Sequence, residues 1–143
     1  MKYMLLMNVA AGPYRISSWP PEDIQAHLRF MMRLSDDLKA TAELVSAEAL
    51  GGPEQARFVR AGDIPVTDGI FAESKEFLAG YWLLDVASPE RARAIALAVS
   101  AAPGPGGAPL NLEIEVREVL PPLPGESRGN GGLLAGCASR SMA

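Results

Sequence analysis

Apolar and polar positions along the chain alternate between two periods, and the order of those periods predicts the fold. Met4–Val9 is a short apolar run bounded by Gly12-Pro13, the pattern of a buried first strand. Pro20-Pro21 followed by Glu22-Asp23 reads as a helix start, because proline is tolerated in a first turn and carboxylates there complement the helix dipole. Ile24, Leu28, Met31, Leu34 or Ser35, and Leu38 then form one stripe along a helix of about five turns. Gln25, Arg29, Arg33, Asp36, Asp37 and Lys39 make its polar face. Leu44–Leu50 fits either a continued helix or an extended segment, and the stop at Gly51-Gly52-Pro53 favours the extended one.

Ala56–Ala61 alternates around Phe58 and Arg60 as a second strand, with Gly62-Asp63 as a turn and Ile64–Thr67 as a returning arm. Phe77–Val86 is the clearest strand in the chain. Its adjacent Tyr81 and Trp82 point to opposite faces, so only one of them meets the core. Ser88-Pro89-Glu90 supplies the N-cap and first turn of a second helix, whose inward face is Ala92, Ile95, Ala96 and Val99. After a Pro/Gly-rich turn at Pro103–Pro109, Leu110–Val119 alternates Leu112, Ile114 and Val116 with Glu113, Glu115 and Arg117, as a half-buried strand does.

The resulting order is βαββαβ, an α+β ferredoxin-like arrangement: an antiparallel sheet with two helices on one face. The other face needs cover, and a homodimer stacked through it is the economical solution. Residues 1–119 read as one domain and residues 120–143 as a Pro/Gly-rich C-terminal tail of linker composition.

Composition narrows the function. The chain has 143 residues, 48% of them hydrophobic, and a net charge of −4. Its 13 basic residues are scattered, which argues against a nucleic-acid partner. No run reaches the roughly 20 apolar residues of a membrane span, so a cytoplasmic protein without membrane contact is expected. With one histidine, His27, and one cysteine, Cys137, neither an internal disulfide nor an all-protein zinc site is expected. No phosphate loop, Ser-His-Asp pattern or CxxC is present, and Gly104–Gly107 lacks the strand-to-helix context of a dinucleotide fingerprint. No cofactor is therefore expected.

The segment Asp68-Gly69-Ile70-Phe71-Ala72-Glu73-Ser74-Lys75-Glu76, followed by Gly80-Tyr81 and Leu84-Asp85-Val86, resembles the signature of the DGPF subgroup of the YCII-related proteins. Met1–Met7, Asp37–Leu50 and Ile114–Val119 resemble the flanking parts of that family. The resemblance implies a ferredoxin-like or dimeric α+β-barrel fold and a homodimer. Three positions depart from it: Ile70 replaces a proline, Ala42 stands where a helix-ending glycine is expected, and the tail from Leu120 has no counterpart. The wider group includes a dehydrochlorinase acting on a chlorinated hydroxyquinol, and many members pair a helix-one histidine with an aspartate as a catalytic dyad. Other DGPF members occur beside extracytoplasmic-function sigma factors. Related dimeric α+β barrels include cofactor-independent enzymes acting on aromatic polyketides.

His27 resembles that helix-one histidine, and histidine is the side-chain type that exchanges protons near neutral pH. On the predicted helix it lies at the edge of the apolar stripe, where it serves either as an acid/base or as a half-buried structural side chain. Asp68 either caps its own Asp-Gly turn or orients His27, and one residue can do both. Glu73 and Lys75 are either a solvated charged run or ligand contacts, with Lys75 suited to an enolate oxygen and Glu73 to a second acid/base role. Arg60, in a strand beside Phe58, is the best single anion-binding candidate. Tyr14, Phe71 and Tyr81, with Trp19 and Trp82, supply aromatic surface for a small-molecule ligand.

The expected function is a small cofactor-independent enzyme of secondary metabolism or catabolism. It would perform isomerase, cyclase or lyase chemistry on an aromatic or polyketide-like molecule. The alternative is a non-catalytic binding or regulatory accessory protein, such as a sigma-factor-associated partner.

Overall fold

The computed structural model describes residues 1–10, 16–62 and 76–125, together with the backbone of residues 67 and 68. Its elements run in the order β1 (Lys2–Ala10), α1 (Pro21–Ala40), β2 (Leu44–Ala49), β3 (Arg57–Phe58), β4 (Thr67–Asp68), β5 (Glu76–Asp85), α2 (Pro89–Ser100) and β6 (Ile114–Glu118). The main sheet is antiparallel in the order β2-β5-β1-β6, which is the ferredoxin-like topology. The strand pair expected over residues 56–67 shrinks to the two-residue ladder β3–β4, Arg57 opposite Asp68 and Phe58 opposite Thr67, outside the main sheet.

Alternation along β1 decides which side chains meet the helices. Tyr3, Leu5, Met7 and Val9 are buried, while the residues between them are only partly so. Across the ladder Tyr3 faces Leu84, Leu5 faces Trp82 and Val116, and Met7 faces Gly80 and Ile114. These inward residues share one core with Leu38 of α1 and with Ala92, Ile95, Ala96 and Val99 of α2. Leu5, Leu84 and Val99 are its fully buried large side chains, each contributing about 1.5–3 kcal/mol on removal from water. Of the adjacent aromatics, Trp82 takes the core side; Tyr81 pairs with Leu6 on the opposite, helix-free face.

Gly80 is required where the chains approach most closely. A Cβ there would stand 2.7 Å from the Glu48 carbonyl oxygen of β2.

Two expectations are corrected. Leu28 is 52% exposed, and the buried stripe of α1 instead runs through His27, Met31, Leu34 and Leu38. His27 therefore lies within the stripe and not at its edge. The last strand begins at Ile114, because the residues before it bond to the end of α2 instead of to β1. Leu110 and Leu112 donate main-chain hydrogen bonds to Ala102 and Ser100, and the Ser100 hydroxyl donates to the Leu112 carbonyl at 2.6 Å.

The end of α1 forms a complete Schellman turn. The Glu43 N–H donates to the Leu38 carbonyl and the Ala42 N–H to the Lys39 carbonyl, with Ala42 at φ 59°. A glycine would hold that left-handed conformation without the Cβ penalty. Immediately beyond, the Glu43 carboxylate receives two hydrogen bonds from Arg91 of α2 (2.8 and 2.9 Å) and one from the Thr41 hydroxyl (2.7 Å). The Arg91 and Thr41 donors hold the Glu43 carboxyl down at about 2. The Glu43 carbonyl also accepts from the Asp85 N–H, so one residue joins α1, β2, β5 and α2.

Ala42→Gly is expected to raise stability by about 1 kcal/mol, read as a higher unfolding temperature, because the left-handed strain it relieves exceeds the entropy that glycine adds to the unfolded chain. Glu43→Gln is expected to cost about 1 kcal/mol at neutral pH, a figure reduced for the exposure of Arg91. Because the folded Glu43 carboxyl lies below its unfolded value, its contribution is complete above the ordinary carboxylate range and is lost as pH falls toward about 2. Denaturant unfolding across that window should therefore show a shallower acid loss in Glu43→Gln than in the wild type.

Candidate functional site

The register brings several strand and helix ends together at one end of the sheet. There β1 ends, α1 begins, β2 leaves after Ala49, β5 enters at Glu76 and α2 ends. The chain thus leaves β1, β2 and α2 and enters β5 and β6 at the same end, and the Glu43 corner occupies the opposite one.

His27 sits in the second turn of α1 and is 3% exposed, the one buried polar or charged side chain among the described residues. Its Nδ1 lies 3.0 Å from the carbonyl oxygen of Pro103. A carbonyl can only accept, so Nδ1 donates this hydrogen bond, and in the neutral form of the ring the one proton is then on Nδ1 and not on Nε2. Trp19 stands edge-on to the imidazole, with ring centroids 5.5 Å apart and planes at 88°. Trp19 is itself buried, just before α1, and its main-chain N–H donates to the Ile16 carbonyl.

The Pro103 carbonyl is presented by a tight loop. Gly104 donates to the Ala108 carbonyl at 2.7 Å, Gly107 to the Gly104 carbonyl at 3.0 Å, and Pro103 bridges Pro109. A Cβ at Gly104 would approach Leu110 Cδ2 to 2.6 Å, so that leucine side chain would have to move to admit one. Gly106 takes φ 69° and donates its N–H to Asp23 Oδ2 at 3.1 Å. Asp23 lies one turn before His27, so two side chains of one helix face grip the same loop.

A cleft of about 460 Å³ lies at this end, lined by Leu50, Pro53, Ala56, Phe77 and Leu78 with Gly51, Gly52 and Gln55. No side chain in that lining carries a charge, so it suits a neutral, apolar ligand, and its size falls within the roughly 300–1,000 Å³ of small-molecule sites. Phe58 and Val59, 52% and 79% exposed, add apolar surface on the neighbouring excursion.

The structure deals differently with each residue singled out in the sequence. His27 is buried and positioned as described. Asp68 is placed by its backbone, paired with Arg57, and its carboxylate lies outside the described residues. Tyr14, Phe71, Glu73 and Lys75 also lie outside them. Arg60 is exposed, beyond the end of β3, and is not part of the main sheet. Tyr81 faces away from the helices and does not share the His27 environment. Sequence reasoning missed Pro103, Gly106 and Asp23: the loop was legible only as a turn and Asp23 only as a helix-dipole carboxylate. The available signal was the Pro-Gly-Pro-Gly-Gly run directly after a helix. Among the described residues no group of three or more His, Cys, Asp or Glu could hold a metal ion, and no helix is long and apolar enough to cross a membrane.

A four-stranded antiparallel sheet with two helices on one face and a buried helix-one histidine defines a small α+β protein of ferredoxin-like type. The chain matches the model of the YCII-related domain over residues 1–106 and belongs to that family. Its last sheet strand, β6, lies beyond the matched residues. No curated protein matches the chain.

Proposed function

We propose that this chain is a cofactor-independent acid/base enzyme of the DGPF type, acting on a neutral aromatic or polyketide-like small molecule by isomerase, cyclase or lyase chemistry. The observation that carries this reading is the 3.0 Å contact of His27 Nδ1 with the Pro103 carbonyl, which in the neutral ring leaves Nε2 as the nitrogen without a proton. A general base needs a fixed ring with an available lone pair, and a main-chain acceptor on the other nitrogen supplies that fixation. The uncharged cleft at the same end of the sheet supports an apolar substrate. Asp68 would contribute its carboxylate to the proton transfer, and Lys75 or Arg60 would stabilise a developing oxyanion.

One observation favours a second reading. His27 is only 3% exposed, as expected of a structural side chain, and the cleft would then serve a non-catalytic metabolite-binding or regulatory protein.

We also propose a homodimer through the helix-free face of the sheet. Met4, Leu6, Tyr81 and Leu83 form an apolar strip there, with Glu48 on one edge strand and Glu115 and Arg117 on the other. A second copy stacked on that strip removes it from water without further chain.

The enzymatic reading is tested with a panel of phenols and cyclic enolisable ketones in D₂O, following deuterium entry at carbon by mass spectrometry. The protein is expected to accelerate exchange in at least one compound, and His27→Gln to lower that rate about 10²–10⁴-fold while remaining folded. Compounds that bind the wild type without exchange would instead support the second reading. Leu83→Arg is expected to convert a dimer to a folded monomer in sedimentation equilibrium.

A further inference from the structure

We propose that Asp23 is a positioning residue for His27, acting through residues 103–109 as a clamp that sets the histidine's tautomer. This inference rests on the acid/base reading of His27, and it gives that base a different orienting partner from a side-chain carboxylate on Nδ1.

Four connected observations carry it. The acceptor on Nδ1 is a main-chain carbonyl, that of Pro103, at 3.0 Å. That carbonyl belongs to a loop closed on itself by the Gly104–Ala108 and Gly107–Gly104 hydrogen bonds and joined to the helix end by the Leu110–Ala102 bond. The tip of the loop is fastened to α1 by Asp23 Oδ2, which accepts from the Gly106 N–H at 3.1 Å. Asp23 and His27 are four residues apart, hence neighbours on one helix face. Asp23 and His27 therefore grip two points of the loop, and the position of the Pro103 carbonyl is fixed relative to the ring. Gly106 at φ 69° turns its N–H toward the carboxylate, a conformation that glycine adopts without strain.

The chemical consequence follows from hydrogen-bond accounting. With Pro103 in place the neutral ring must carry its proton on Nδ1, since that is the nitrogen facing an acceptor with no donor capacity. Without the clamp, Nδ1 loses this partner, and the ring reverts to the balance that solvent and Trp19 impose. Asp23 thus determines which nitrogen is basic while touching neither the ring nor any ligand.

The test uses the full chain and no substrate. His27 is the sole histidine, so its two imidazole nitrogens give unambiguous signals in a long-range proton–nitrogen correlation spectrum. Wild-type protein is expected to show the Nδ1–H tautomer as the main neutral form. Asp23→Ala should shift the tautomer ratio toward Nε2–H by about fivefold, the worth of one neutral hydrogen bond. Asp23→Asn, which keeps an oxygen acceptor for Gly106, should retain the wild-type ratio despite losing the charge. An unchanged ratio in Asp23→Ala, or an Nε2–H ring in the wild type, overturns the proposal. Equal shifts in Asp23→Asn and Asp23→Ala overturn it as well, because they assign the effect to charge at the helix start. Deuterium exchange reports separately: a wild type that exchanges nothing removes the enzymatic reading, while the tautomer result decides the clamp.

Discussion

The structure depends on one contact: the inward side chains of β1, bound on both flanks by neighbouring strands, against the two helices. Leu5 is at the centre of that contact and shares a fully buried core with Leu84 and Val99. Because β1 is paired along most of its length with both β5 and β6, a slip of one residue would turn all four inward residues outward. The small side chains of α2, Ala92 and Ala96, let that helix lie close on the strands. The same alternation leaves Met4 and Leu6 on a face that no part of the described chain covers.

The two ends of the sheet have different duties. At one, Glu43 joins four elements through its main chain and its carboxylate, and the connections are short. At the other, His27 is held by the Pro103 carbonyl and an uncharged cleft opens beside the start of β5.

Most of the fold was legible because its signals are local. Ser88-Pro89-Glu90 announces α2, and its side chain does accept the Arg91 N–H; the predicted inward face Ala92, Ile95, Ala96 and Val99 is the observed one. The stripe of α1 was misread by one position because Leu28 and His27 are adjacent and hydrophobicity alone favours leucine. What reverses the choice is an acceptor 76 residues away, the Pro103 carbonyl, which satisfies the imidazole's polar edge. The site was less legible for the same reason. His27 and Asp23 are joined through a glycine-rich loop whose main chain, not its side chains, does the bonding, and the Pro-Gly-Pro-Gly-Gly run marks a turn without marking which main-chain group meets which side chain. The departure at Ala42 shows the opposite case: a local rule predicted glycine, and the chain adopts the left-handed conformation regardless.

Position 27 opens a stripe whose other members are Met31, Leu34 and Leu38. An aliphatic side chain there would pack against Trp19 without needing any acceptor, and would free the loop at Pro103 from the helix. The chain thus keeps its helix-one interior dependent on a distant turn having the right shape. The shape of the α2–β6 connection and the surroundings of α1 are thereby coupled, and a change in the glycines of that connection reaches the imidazole through the Pro103 carbonyl.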